Sequence, residues 1–170
     1  MLETEEVDLS ALKPRLPVFL SYVLSFIYVG IYWNNHHHMF QSTRRVNGCI
    51  LCANLHLLFW LSLFPFATGW IGENHLVATP MAVYGFVLLM AAIAYYVLQQ
   101  AIIAQQGRES LLAAVIGGHW KGKLSPLLYL IAIPLAFGNS WIARGLFVFV
   151  AALWFVADRR IERVLEKREE

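Results

Sequence analysis

The chain has 170 residues, 59% of them hydrophobic and only 14% charged, with a mean hydropathy of +0.57. Soluble domains carry about 25% charged residues to solvate their surface, so a water-soluble globular domain is excluded and lipid is the expected solvent. A net charge of +2 without a long basic run gives no argument for a nucleic-acid partner.

Residues 1–15 hold four carboxylates and no apolar run, so they lack the positive start and hydrophobic middle of a secretory signal. They read as a polar extracytoplasmic segment. A first apolar span follows over about 16–40, ending in Trp33, Asn34, Asn35 and the triplet His36, His37, His38. The second covers about 48–70, where Pro65 removes a backbone bond and is expected to kink the helix. The third, about 79–104, is rich in alanine and contains Gly85, residues small enough for close helix approach. The fourth, about 124–138, is short and carries Pro126 and Pro134, so length alone would allow a re-entrant piece. The fifth, about 141–157, completes a transmembrane domain over 16–157, and a charged tail occupies 158–170. Between the third and fourth spans, GRESLLAAVIGGHWKGK reads as a short helix on the membrane surface. The whole predicts an all-α, polytopic membrane helical bundle of five spans, in a cell membrane.

Lys and Arg flanking the spans set orientation. Arg44, Arg45, Arg108, Lys121, Lys123, Arg159, Arg160, Arg163, Lys167 and Arg168 fall on one side, against Lys13, Arg15 and Arg144 on the other. The first set is therefore cytoplasmic, together with the C-terminus. That bias also requires the fourth span to cross fully. Five crossings leave an acidic N-terminus outside. Either the short polar tail translocates unaided, or a preceding span belongs to the complete protein.

Polar groups within spans usually face the bundle interior or a hydrated path. Ser21, Ser25, Tyr28 and Tyr32 recur at i, i+4, i+7 and i+11 on the first span. They either line a pathway, as in a secondary transporter, or form interhelical hydrogen bonds. The histidine triplet cannot converge on one ion, because consecutive helical residues point about 100° apart. Asn34, Asn35, His36, His37, His38, Asn54, His56 and Trp60 are expected to form a polar junction tying the first two spans together. No metal site is expected. A non-conducting metal-binding or assembly protein would have to use Cys49, Cys52 and His56, which share a helix face with Trp60. A disulfide is not expected on a reducing cytoplasmic edge. The chain contains no Thr-Val-Gly-Tyr-Gly filter, phosphate-binding loop or acidic residue within a span, and no pattern that supports catalysis.

The segment FIYVGIYWNNHHHMFQSTRRVNGCILCANLHLLFWLSLFPFATGW resembles bacterial members of the transmembrane protein 175 family of potassium channels. Tyr32 to His38, Asn54-Leu55-His56 and Leu63-Phe64-Pro65-Phe66 carry the resemblance. It implies a six-helix repeat with both ends in the cytoplasm, a homotetramer around a central pore, and potassium as the permeant ion with no other cofactor. In the family the pore is lined by a first helix bearing Phe-Ser-Asp. No such tripeptide occurs in this chain, so no filter residue can be assigned. The expectation is a passive channel subunit, embedded in the bilayer, that lacks its pore-lining helix and conducts poorly in this form.

Overall fold

The computed structural model describes residues 16–41, 43, 45–74, 77–107 and 120–155. The polar N-terminal segment, most of the expected surface helix and the charged tail lie outside these residues. So do the side chains of Ser21, Lys121 and Lys123.

Six helices form the described part: α1 Leu16–Gln41, α2 Gly48–Ser62, α3 Phe64–Glu73, α4 Ala78–Gln106, α5 Trp120–Gly138 and α6 Ser140–Phe155. The helical fold with no strand among the described residues is the all-α bundle that the apolar runs predicted. Helices α2 and α3 are near-continuous over Gly48–Glu73, and this stretch and α4 are each long and apolar enough to cross a membrane. At 1.5 Å per residue they measure about 39 and 43 Å.

Local chemistry explains where the helices stop. Asn47 caps α2, its Oδ1 accepting from the Ile50 N–H at 2.9 Å, which satisfies one of the donors a helix start leaves free. The bend expected at Pro65 is a one-residue interruption at Leu63. Proline has no N–H to give the Leu61 carbonyl, so α2 ends at Ser62, and Pro65 sits in the first turn of α3, where no such donor is needed. Gly107 ends α4 with φ of 90°, a left-handed conformation that glycine adopts freely, and its N–H reaches the Ile103 carbonyl at 2.9 Å. Asn139 alone joins α5 to α6. Its N–H closes α5 on the Leu135 carbonyl at 2.8 Å, and its Oδ1 accepts from the Trp141 N–H at 3.0 Å to start α6.

Helix α4 is the hub: α2, α3, α5 and α6 all pack on it, while α1 packs chiefly on α3 and touches α6. Cross-helix ring contacts give the directions. Tyr28 meets Tyr84 and Tyr32 meets Tyr95, so α1 and α4 run parallel; Tyr84 meets Phe147 and Tyr95 meets Trp154, so α6 runs with them. The α2–α3 pair and α5 run the opposite way. Gly85 lets α4, α5 and α6 approach, since a Cβ there would lie 2.9 Å from Phe147 Cζ and 3.1 Å from Ile133 Cγ1.

The outer surface is apolar. Phe26, Leu55, Phe66, Trp141 and Val148 are each at least 66% exposed. Exposure of so many large apolar side chains on several helices is suited to lipid and not to water.

Candidate functional site

The polar residues of α1 divide into a central stripe and a histidine-bearing end. In the stripe, Ser25 is buried and shares a hydrogen bond with the Thr68 hydroxyl of α3. Tyr28 donates to the Phe147 carbonyl of α6 at 2.9 Å. Tyr32 packs edge-on against Phe64 at 5.8 Å and Tyr95 at 6.0 Å. These three residues thus point into the bundle and bind its helices together.

Beside them lies a cavity of about 30 Å³ between α1, α4, α5 and α6, lined by Tyr28, Tyr32, Asn35, Gln99, Ser125 and Trp154 among others. That volume suits one or two water molecules, and the lining supplies the polar partners that buried water needs. Trp154 Nε1 donates to Ser125 Oγ at 2.7 Å, fastening α6 to α5 at the cavity wall.

At the histidine-bearing end the side chains fan out, as consecutive helical positions must. His36 Nε2 donates to Asn54 Oδ1 at 2.7 Å, which links α1 to α2. His37 is exposed; its Nε2 accepts from Gln41 at 2.9 Å and its ring stacks on Trp33 at 5.3 Å. His38 is half-buried, with Nδ1 enclosed and without a hydrogen-bond partner among the described residues. Asn35 donates to the Ile31 carbonyl of its own helix at 2.8 Å, and Asn34 is half-buried beside it. On α2, Trp60 Nε1 donates to His56 Nε2 at 2.9 Å, while the Trp60 ring meets Phe86 of α4 at 5.8 Å. Of the eight residues expected at the junction, His36 and Asn54 are joined between α1 and α2. His56 and Trp60 pair along α2. Cys49 and Cys52 are free thiols on the exposed side of α2. Among the described residues no three His, Cys, Asp or Glu side chains are grouped to hold a metal ion.

Sequence reasoning passed over Thr68, Tyr84, Gln99, Ser125 and Trp154, which complete these contacts. A signal existed for some of them. Tyr84 and Tyr95 are eleven residues apart, three helical turns on one face, and Ser125 is one of few polar residues between Leu124 and Gly138.

Comparison with known proteins bears on this arrangement. The sequence profile of the family described as endosomal/lysosomal potassium channel TMEM175 matches residues 2–65, which include both helices of the His36–Asn54 pair. A protein of a Chryseobacterium species, named as a potassium channel, is 50% identical over 158 residues, covering 93% of this chain and 82% of that protein. The chain belongs to the TMEM175 family. Two further relatives carry the same kind of name. One from Streptomyces collinus is 33% identical over 95 residues, 52% of this chain and 45% of that protein. One from Chamaesiphon minutus is 26% identical over 155 residues, 86% of this chain and 74% of that protein. No solved structure matches the chain. TMEM175 membership and the apolar outer surface together make this a membrane protein, and the names of its relatives are those of channels rather than enzymes.

Proposed function

We propose that the chain is a subunit of a passive potassium channel in a cell membrane. The observation that carries this reading is the 50% identity, over 93% of the chain, to a protein named as a potassium channel. In this reading the bundle crosses the bilayer at α1, α2–α3, α4, α5 and α6, with the histidine-bearing end of α1 and the C-terminus in the cytoplasm. The alternating helix directions and the ten basic residues assigned to that side support this orientation.

The subunits assemble as a homotetramer around a central pore, and this 170-residue chain serves as the scaffold of each subunit. Ser25, Tyr28 and Tyr32 support the scaffold role, because contacts inside the bundle occupy them. Potassium selectivity then resides in a pore-lining helix beyond these residues, and this chain conducts poorly by itself.

Flux of potassium into liposomes, measured for this chain and for the product extended upstream in its gene, tests the proposal. The expected result is flux from the extended product alone. Equal flux from both would overturn the scaffold role, and absence of flux from both would overturn the channel reading.

A further inference from the structure

We infer that Cys49 and Cys52 form a thiol-modification site, a dithiol that exchanges with small disulfides and closes into a disulfide near the start of α2. The site depends on the local geometry of α2 and is independent of the channel reading.

Both thiols are free and exposed. They stand three residues apart near the start of a 15-residue helix that begins at Gly48. An α-helix rises 1.5 Å and turns 100° per residue at a Cα radius of about 2.3 Å, which puts residues i and i+3 about 5 Å apart. A disulfide accepts Cα separations of about 4.4–6.8 Å, so this pair needs only side-chain rotation and a small adjustment of the turn.

The position within the helix matters as well. The first N–H groups of a helix have no carbonyl partner in the preceding turn. Asn47 holds this start through its side-chain oxygen on the Ile50 N–H and its carbonyl on the Leu51 N–H at 3.1 Å. Adjusting the backbone between Cys49 and Cys52 therefore disturbs fewer helical bonds than the same change would in the middle of α2. Access is open at this end of the helix: Arg45, Val46, Asn47 and Gly48 are all exposed, and, its chain neighbours and the nearby backbone of α2 aside, a Gly48 Cβ would meet nothing within 4 Å among the described residues. Ile50 between the two cysteines is fully buried, which anchors the opposite face of the turn to the bundle.

The chemistry balances with a small disulfide as oxidant. One cysteine, as its thiolate, attacks a sulfur of the reagent; the reagent's S–S bond breaks and one small thiolate leaves and takes up a proton. The second cysteine, also as its thiolate, attacks the resulting mixed disulfide at the protein sulfur and expels the second small thiolate. Two protein thiols become one disulfide, and the two electrons they lose reduce the reagent to two thiols, which carry away the two protons. Such a bond in a reducing compartment is transient and serves sensing rather than structure. Asn54, which holds His36 of α1, lies two residues beyond Cys52, so closure of the turn is placed to disturb the link between α1 and α2.

The chain has two cysteines in all, which makes its mass an unambiguous readout. The purified full chain in detergent is treated with oxidised glutathione at neutral pH, quenched with iodoacetamide and weighed intact. The expected product has lost two hydrogen atoms, carries no adduct, and regains both alkylatable thiols after dithiothreitol. Cys49→Ser and Cys52→Ser, each with an unchanged helical circular dichroism spectrum, should stop at a mixed disulfide with one glutathione adduct. Two stable adducts on the unsubstituted chain, full alkylation of both thiols, or a disulfide between two chains would each overturn the inference.

Discussion

His36 of α1 and Asn54 of α2 meet at 2.7 Å, nitrogen to oxygen, at an end of the bundle where the backbones of those two helices do not pack closely. The bond is half-buried, with the Phe40 ring 4.5 Å from that of His36. Hydrogen bonds between membrane helices contribute about 0.6 kcal/mol on average and up to about 1.7. In a double-mutant cycle of His36→Leu and Asn54→Leu, read as thermal unfolding in detergent, a coupling in that range is expected. A coupling of zero would show that the two side chains are independent.

Gly85 is expected to tolerate no larger side chain. Its missing Cβ would stand 2.9 Å from Phe147 Cζ, and the Phe147 ring is itself held by Tyr84 at 5.4 Å and Tyr129 at 6.2 Å. Gly85→Val should lower stability by about 1–3 kcal/mol, the cost of overpacking a filled core. Pairing it with Phe147→Leu should recover part of that loss, measured as the shift in unfolding midpoint of the double variant against each single one.

Tyr28→Phe deletes the donor to the Phe147 carbonyl and preserves the ring contacts with Phe64 and Tyr84. The expected loss is about 1 kcal/mol, that of a single hydrogen bond. Tyr22→Phe serves as the control, since Tyr22 is 60% exposed, and should leave the unfolding midpoint unchanged.

Ser125→Ala removes the acceptor of the Trp154 indole N–H. A buried donor stripped of its acceptor costs about 1–3 kcal/mol. Trp154→Phe, which removes the donor along with the acceptor's need, should partly rescue Ser125→Ala. If the two substitutions add fully in the unfolding midpoint, the bond does not stabilise the bundle.

How much of this could be read from the sequence depends on which physical signal was present. Apolar runs located the helices, because lipid demands them, and the 100° step between neighbours foretold that the three histidines would point in different directions. The proline at position 65 foretold a disturbance, though not that Leu61 losing its donor would divide the helix at Leu63. Partners were not legible. Helices that are apolar on every side have no strong face to read, so nothing in the pattern shows that Ser25 meets Thr68 or that Tyr28 meets Phe147. Those pairings follow from how α1 is rotated against α3 and α6, which only tertiary packing decides. Gly85 lay between these cases: its size announced a close approach, and the structure supplied Phe147 and Ile133 as the side chains that fill the space.

The interruption at Leu63 gives α2 and α3 separate allegiances. α3 is wedged between α1 and α4, whereas α2 leans on α4 and meets α1 through little more than the reach of His36. A sideways push on α1 near Ser25 therefore meets a solid abutment. The same push near the histidines meets a thin strut, leaving the bundle stiff at one pole and compliant at the other.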